Sequence, residues 1–248
     1  MHKNSPVKFS EHFSMVADPG VIGGSDHKLI DIITITLCAI ISGAGNRSEI
    51  EAYGKARYEW LEEFSELPCG IPVFIAVSAE ELENCFLNRV RTVFNTSKSK
   101  AVPIDGKTLR RSRDQTSGKG AIHMVTAWCV ENGIGSGRIK TSEKSNTIYP
   151  AWKTRQTCLQ QAGEKGKAVR GHRGVENGLH WKLDVGLRED ECRKRKENSS
   201  ENFAIMRQIA LNLLNQKKTV MKAGVNAKRL QAGRDNKYLP NLIKYLKF

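Results

Sequence analysis

The sequence lacks paired cysteines, and this excludes the common kinds of zinc site. Its six cysteines form no C-x-x-C pair, and several stand in apolar stretches where cysteine behaves as a small hydrophobic residue. The nearest approach to a zinc constellation is Cys158 with His172 and His180. These histidines are spaced more widely than zinc-binding histidines usually are, and no second cysteine is close. We therefore expect reduced, structural thiols and no zinc.

An apolar run long enough to span a bilayer is also missing. Residues 29–41 are apolar nearly all round, but the run includes Asp31 and is shorter than the about 18–20 residues that a membrane helix needs. It predicts a buried core helix that Asp26 could cap. The polar N-terminus, Met1 to Pro6, does not resemble a secretory signal. We expect no membrane partner and a cytoplasmic, nucleoid-associated protein.

Aromatic residues are scarce, at 7% of the chain, whereas basic residues are abundant. Lys and Arg number 40 against 26 Asp and Glu, and the excess is confined to one part of the chain. Residues 1–100 carry a net charge of −3, and residues 101–248 carry +17. This asymmetry indicates a polyanionic partner for the second part. A basic RNA-associated protein is one alternative, but the aromatic residues that would stack on bases are too few to favour it.

Helical spacing dominates the first hundred residues. Ser48 with Glu51, and Ser78 with Glu81, have the Ser-x-x-Glu form of a capping box, and apolar residues follow each pair at helical intervals. We predict a small helical module over about 25–95. Further along, apolar positions from Phe203 to Leu214 predict another helix, and a Lys-rich tail follows from residue 217.

Strand patterns begin after residue 100. A short apolar run over 101–104 ends at Asp105 and Gly106, a longer run covers 121–130, and a turn leads into a third strand at 137–141. These runs predict a three-stranded meander whose first strand presents Asp105 at its end. Residues 150–174 show neither period and predict an ill-ordered segment.

Seven blocks, taken in this order, resemble the H-repeat-associated insertion-sequence transposases. The blocks are 27–32, 38–44, 70–72, 104–110, 120–123, 140–146 and 175–185. The resemblance covers roughly 10–148 and 169–240 and leaves the irregular middle unmatched. It implies an α+β or α/β chain, with a helical module at 10–97, a ribonuclease-H-like DDE domain (a mixed sheet with flanking helices) at 101–216, and a basic tail at 217–248.

The resemblance also implies a function and a site. Enzymes of this family cut and join the DNA ends of their own element, using two Asp and one Glu to bind Mg²⁺ or Mn²⁺. By the match, Asp105 is the first aspartate and Glu176 is the glutamate, so both are expected to be catalytic metal ligands. Basic positions in the matched blocks are expected to contact DNA: Lys107, Arg110, Lys140, Lys144, Arg170 and Lys182.

The chemistry independently favours these residue types. Two metal ions about 3.5–4 Å apart can activate an attacking hydroxyl and stabilise a leaving oxygen. Magnesium is a hard ion that prefers carboxylate oxygens. Taken alone, Asp105 could equally be part of an Asp-Gly turn, and Glu176 could be a solvated helix residue.

One carboxylate of the expected site is missing. No aspartate occurs between Asp114 and Asp184, although the family places its second one there. Glu143 ends the third strand, and Glu164 has no strand to present it, so neither is a convincing substitute. The interval is also short for the strands and the crossover helix that it must contain. We infer an internal deletion near 149–169 and a degenerate, inactive copy. Its expected partners are the DNA ends of its own element and a second copy of itself in a homo-oligomer. The rival interpretation is a non-catalytic DNA-binding protein derived from a transposase.

Overall fold

The computed structural model describes residues 29–63, 65, 67, 82, 104–113, 118, 120–129, 133–141, 174–193, 198–215 and 221–244. Within them the helices are α1 (Leu29–Ser42), α2 (Arg47–Ala56), α3 (Tyr58–Glu62), α4 (Ser199–Asn215), α5 (Val225–Arg234) and α6 (Tyr238–Lys244). The strands are β1 (Ile104–Thr108), β2 (His123–Cys129) and β3 (Ile134–Thr141). Between β3 and α4 lie two π-helical turns, Glu176–His180 and Lys182–Gly186, and a 3-10 turn, Glu189–Glu191. The chain is therefore of the mixed α+β class.

The helix predicted for the apolar run is confirmed as α1. Most of its residues are buried, and Thr34 donates its hydroxyl to the carbonyl of Ile30 at 2.7 Å, which satisfies a polar group inside the core. Cys38 is fully buried and free, and burial raises the pKa of its thiol to about 12. This cysteine is thus an unreactive structural thiol, as predicted. The predicted cap, Asp26, lies outside the described residues.

No single helix in the described ranges is long and apolar enough to cross a membrane. The pair α1 and α2 passes such a test together, by length and composition only, with a bend of 97° between them. Most of α1 is buried against other parts of this chain.

The capping box of α2 lies two residues earlier than predicted. Asn46 is the N-cap, and its side-chain oxygen accepts from the Glu49 amide at 2.9 Å. Glu49 in turn accepts from the amide of Gly45, the residue before the N-cap, at 2.6 Å, and from the side-chain amide of Asn46 at 2.6 Å, a variant of the capping box. The predicted partner Glu51 instead pairs with Lys55 at 2.7 Å, one turn along the exposed face. The second predicted box, Ser78 with Glu81, lies outside the described residues.

The three-stranded meander is confirmed, with antiparallel strands in the order β1-β2-β3. Asp105 pairs with Thr126 of β2, and Thr126 pairs with Arg138 of β3. The prediction that the first strand ends at Asp105 was wrong, because β1 runs through it to Thr108. The pairing of the next residues with β2 holds the Asp-Gly pair in the ladder instead of a turn.

Helix α4 packs on the sheet through side-chain amides. The Asn212 amide accepts from the Gly135 N–H and donates to its carbonyl, both at 2.9 Å, so it pairs with β3 as a peptide group would. A Cβ on Gly135 would lie 2.0 Å from the Gln208 side chain. Glycine at this position therefore allows α4 to approach β3 closely.

The core is shared between both ends of the described chain. Apolar residues of α1, α4 and the helical turns after β3 form one cluster with Ala232, Leu239 and Leu242 of the last two helices. Where a basic tail was predicted from residue 217, the structure has α5 and α6. The apolar residues between the lysines bury against α1 and α4, and this long-range packing was not visible in the local composition.

Cations of α5 satisfy the carbonyls at other helix ends. The Arg229 guanidinium donates to the carbonyl of Ile40 near the end of α1 at 3.1 Å and to that of Gly186 after β3. Lys228 donates to the carbonyl of Leu214 in α4 at 2.6 Å. The last carbonyls of a helix lack internal partners and carry partial negative charge, so these contacts join three helix ends to α5.

Candidate functional site

Asp105 lies on the face of β1 that is turned towards the helices. Side chains of directly paired residues lie on the same face of an antiparallel sheet, so Asp105, Thr126 and Arg138 form one row across the three strands. One carboxylate oxygen of Asp105 accepts from the Gly106 amide at 2.8 Å. Lys107, two residues further along β1, shares this face.

Residues 174–187, here called the glutamate segment, lie against the sheet. Two successive π-helical turns are unusual, and such turns are frequent at functional sites. A Cβ on Gly178 would lie 3.0 Å from the Trp128 ring of β2, so the glycine permits a close approach of the segment to the sheet. Glu176 begins the first turn and is exposed.

Two polar contacts join β1 to the glutamate segment. The Nδ1 atom of His180 lies 3.3 Å from a carboxylate oxygen of Asp105, and the Lys107 ammonium contacts Asp184. Two residues along a strand span about 6.6–6.8 Å, and one turn of an α-helix rises about 5.4 Å, so the two spacings are close enough for both contacts to form. Glu176 lies one further turn before His180.

His180 is a buried imidazole with one ring nitrogen unpaired. It is 9% exposed, and its Nε2 atom has no hydrogen-bond partner among the described residues. Burial lowers the pKa of His180 below its usual value; Asp105 opposes this change, and the positive charges of Arg138 and Lys107 reinforce it. The imidazole is therefore predominantly uncharged at neutral pH.

A buried ionic cluster lies beside this contact. The Lys107 ammonium contacts Asp184 and lies 3.5 Å from Glu189 and 3.0 Å from Asp190. The Arg138 guanidinium, whose side chain is 0% exposed, binds both oxygens of Glu189, with Nη2 at 2.8 Å from Oε2. Burial raises the pKa of Asp184, and the charge and hydrogen bond of Lys107 oppose that rise.

The depressed pKa of Glu189 makes the stability of the fold depend on pH in the acidic range. Burial alone would raise its pKa, but the charge and hydrogen bonds of Arg138, with the charge of Lys107, lower the pKa to about 2 from 4.5. A depressed pKa contributes stability that is present above the unfolded value and is lost as pH falls through the folded value. We expect the free energy of unfolding to decrease as pH is lowered from about 4.5 towards 2. Urea unfolding at a series of pH values would measure this dependence. The free energy of unfolding of Glu189→Gln should change less with pH than that of the wild type. An equal pH dependence in the two proteins would contradict the role assigned to Glu189.

Two of the predicted DNA contacts are exposed but already have acidic neighbours. The Arg110 side chain is 76% exposed, and its Nε atom lies 3.3 Å from a carboxylate oxygen of Asp190. The Lys140 side chain is 49% exposed, with its ammonium 3.2 Å from a carboxylate oxygen of Glu201. Exposed ion pairs of this kind exchange readily with solvent and with competing anions. The DNA contact expected of Arg110 and Lys140 stays a prediction.

The remaining predicted contacts are less accessible or lie elsewhere. Lys182 is partly buried, its ammonium donates to the Asn215 side chain at 3.2 Å, and burial lowers its pKa. Lys107 is 13% exposed within the ionic cluster. Lys144 and Arg170 lie outside the described residues, as do residues 150–173 of the segment predicted to be ill-ordered.

The described residues do not form a metal-binding cluster around Asp105. Within the described ranges, no three His, Cys, Asp or Glu side chains stand close enough together to hold a metal ion. Two carboxylates that lie close to β1, Asp184 and Glu189, are paired with Lys107 and Arg138. A magnesium ion is commonly held by one or two carboxylates together with substrate phosphates. The expected role of Asp105 and Glu176 as its ligands stays a prediction.

Sequence reasoning missed the residues that support Asp105. His180 was considered only as a zinc ligand and rejected, and neither Arg138 nor Glu189 was singled out. One pattern could have revealed part of the arrangement: Glu176, His180 and Asp184 recur every four residues, which places polar groups along one helical face.

The comparisons with known proteins agree on one kind of relative. The model of the DDE_Tnp_1-associated family matches residues 10–89. The "H repeat-associated putative transposase YhhI" of Escherichia coli (strain K12) is 25% identical over 369 residues, covering 95% of this chain and 97% of the relative. The "H repeat-associated putative transposase YbfD" of the same strain is 32% identical and covers 66% of each chain. The "Inactive transposase YbfQ" of that strain is 38% identical over 66 residues, which are 27% of this chain and 79% of the relative. No solved structure shows a significant match.

The length of the first alignment bears on the predicted deletion. It extends over 369 residues, whereas this chain has 248, so the relative contains segments without a counterpart here. Because 95% of this chain is aligned, most of that difference falls between matched parts. This supports an internally shortened chain; the position of the deletion near 149–169 stays a prediction.

Proposed function

Because this chain belongs to the H-repeat-associated transposase family, we propose that it is a shortened transposase that binds the DNA ends of its own element and has lost metal-dependent strand cleavage. The observation that carries the proposal is the pairing of Asp105 with His180 of the glutamate segment. It brings the two family blocks with the expected catalytic residues to one place. A strand-cleavage assay, described in the Discussion, tests the loss of activity.

The domain is proposed to be an incomplete ribonuclease-H-like domain over 101–216. What supports this is the order of elements: an antiparallel meander whose first strand contains Asp105, followed by a helical segment that starts with Glu176. The helical module at 10–97 and the residues from 217 complete the proposed division. Helices α1, α5 and α6 nevertheless share a core with α4, so these parts are proposed as units of sequence that fold together.

DNA is proposed to bind chiefly through phosphate contacts from residues beyond 100. The charge of +17 in that part supports this, as does the exposure of Arg110 on the loop after β1. Phosphate contacts supply most of the affinity of non-specific binding and release counterions. The chain is accordingly expected at the nucleoid in the cytoplasm, and homo-oligomer formation remains a prediction.

The salt dependence of DNA binding, measured for the wild type and for a variant that lacks one positive charge, tests this interface. We expect the logarithm of the binding constant for duplex DNA to fall with the logarithm of salt concentration, at about −0.9 per phosphate neutralised. Arg110→Gln should reduce that slope by about one contact. The matched control is Lys55→Gln, which removes a charge of similar exposure (70% against 76% for Arg110) from the acidic part of the chain. Equal effects of the two substitutions in a fluorescence anisotropy titration would contradict the assignment.

One metal ion is proposed to bind through Asp105 and Glu176, as Mg²⁺ or Mn²⁺. When bound, such an ion neutralises phosphate charge and lowers the pKa of a coordinated hydroxyl. The chain's own contribution is to supply two carboxylates and to orient one of them. A second ion would need the carboxylate that the sequence lacks.

The rival function is that of a non-catalytic DNA-binding protein derived from a transposase. The ionic cluster favours it, because Lys107 and Arg138 leave Asp184 and Glu189 without a free charge for metal binding. Such a protein could occupy the element's ends and inhibit an intact relative. Cleavage of an end-bearing substrate by an intact transposase, measured with and without added excess of this protein, would distinguish an inhibitor from an inert remnant.

A further inference from the structure

We propose that the exposed ring of Trp181 is a stacking platform for one unpaired base at the end of a DNA strand. The inference rests on the proposed DNA binding and adds to it a contact with a base, whereas the contacts proposed above are chiefly with phosphates. Its basis is the position of a large aromatic ring on the outer side of the glutamate segment, where the residue is 60% exposed.

Trp181 differs in exposure from the other tryptophans that the structure describes. Trp128 of β2 is 3% exposed, and Trp60 packs against the core. A tryptophan buries about 150–250 Å² when it enters a core or an interface, so an exposed one forgoes a large stabilisation. Folding therefore does not explain an aromatic ring at position 181, whereas a ligand that covers its face would.

The glutamate segment holds this ring in a fixed place. Leu179 and Leu183, on either side of Trp181 in the sequence, are fully buried, and Gly178 allows the segment to pack closely against Trp128. The backbone is thus anchored, and only the two side-chain torsions of Trp181 have to be ordered when a ligand binds. Such a ring offers a large contact area at a low cost in conformational entropy.

Positive charge follows the ring along the segment. The ammonium of Lys182 donates to the uncharged Asn215 side chain at 3.2 Å, a contact that does not neutralise its charge. Burial lowers the pKa of Lys228 in α5, and the nearby charge of Lys182 lowers it further, so the two ammonium groups lie close together. An aromatic face beside cations, in the part of the chain that carries +17, suits both the uncharged base and the charged backbone of a nucleotide.

An unpaired base fits this surface better than a second copy of the chain does. Val185, one turn further along, is the other exposed large apolar residue of the segment, at 50%. Two side chains make a small patch, whereas a stable protein interface buries about 800 Å² on each partner. A single base needs only one ring face. One ring is also too few for the run of stacked bases that a groove for single-stranded RNA holds.

The experiment measures binding of the full-length chain to two DNA probes by fluorescence anisotropy. One probe is a blunt duplex, and the other is the same duplex with a short single-stranded tail. From the usual contribution of one stacked base, we expect Trp181→Leu to weaken binding to the tailed probe by about 5- to 150-fold. Binding to the blunt probe, which phosphate contacts supply, should change by less than about twofold. Trp181→Phe keeps an aromatic face and should retain more of the affinity for the tail than Trp181→Leu does.

Val185→Ser is the matched control, because it removes apolar surface beside the ring without removing an aromatic face. It should change the affinity for either probe by less than about twofold. A fluorescent base analogue, 2-aminopurine, in the tail gives a second readout. Its emission should be quenched by stacking when the wild type binds, and should stay unquenched with Trp181→Leu.

The ratio of the two affinities separates stacking from folding, since a loss of folded protein would lower both affinities and leave their ratio unchanged. Equal affinity of the wild type and Trp181→Leu for the tailed probe would overturn the proposal and leave phosphate binding intact. A parallel loss on both probes, with weaker self-association in sedimentation equilibrium, would also overturn it, because the ring would then be an interface between two copies. If the wild type binds neither probe, the proposed DNA binding is itself wrong, and the stacking role of Trp181 falls with it.

Discussion

Purified protein given Mg²⁺ or Mn²⁺ and DNA that bears the element's ends is expected to show no strand cleavage above background. The reason is the number of ligands. Three carboxylates serve two ions by sharing. The family resemblance implies that only Asp105 and Glu176 of the expected set remain in this chain. Misplacement of reacting groups by even about 1 Å can cost about a hundredfold in rate, so loss of a ligand and of the strand that carried it should compound.

Two other carboxylates close to β1 are already paired with cations and do not replace the missing aspartate. Asp184 contacts the Lys107 ammonium, and Glu189 is bound by the Arg138 guanidinium, so neither is free to replace the missing aspartate. Breaking the Arg138–Glu189 contact to release the carboxylate would leave the fully buried Arg138 guanidinium without its acidic partner.

The assay follows nicked and joined products on gels, with an intact relative as the positive control. Specific cleavage that disappears on Asp105→Asn would contradict the expectation. It would mean that Glu143, Glu164 or a partner chain completes the site.

The largest effect on stability is expected from Arg138→Met. This substitution leaves Glu189 buried and charged without its guanidinium partner, and breaking a buried pair from one side typically costs about 3–5 kcal/mol. Chemical unfolding monitored by circular dichroism would measure the loss. The exposed Arg188–Glu191 pair supplies the matched control, since Arg188→Met should cost no more than about 1 kcal/mol.

A double variant checks the physical reason. Replacing both partners, as Arg138→Met with Glu189→Leu, removes the charge together with its counter-charge and should recover much of the lost stability. If the double variant is as unstable as Arg138→Met alone, the loss comes from packing around the Arg138 side chain instead of from the unpaired carboxylate.

Local patterns in the sequence predicted the parts of the fold that depend on neighbouring residues. The core helix α1, the meander and helix α4 all follow from the spacing of apolar residues over short windows. The absence of an aspartate between Asp114 and Asp184 could be read from the sequence directly. These features do not require knowledge of which distant residues meet.

The predictions that were wrong fail for two physical reasons. Either two neighbouring residues compete for the same role, or the partners that stabilise an element are far apart in the sequence. Asn46 and Ser48 both start an acceptable capping box, and only the exact first turn of α2 decides between them. The helices after residue 217 look like a basic tail because their apolar residues need α1 and α4 to bury them. Arg138 and Glu189 are 51 residues apart, so no local pattern indicates that they pair.

The Arg229 contact with the carbonyl of Ile40 joins positions 189 residues apart and constrains how this polypeptide matures. Ribosomes deliver the N-terminal part first, and many proteins fold in that order during synthesis. Here α1 cannot complete its burial until α5 has left the exit tunnel, so folding is expected to be largely post-translational and slow. A premature stop before residue 225 leaves α1, the most apolar of the described helices, without its partner. Such fragments are therefore expected to be recognised by chaperones and degraded, and an element that decays by nonsense mutation leaves little protein behind.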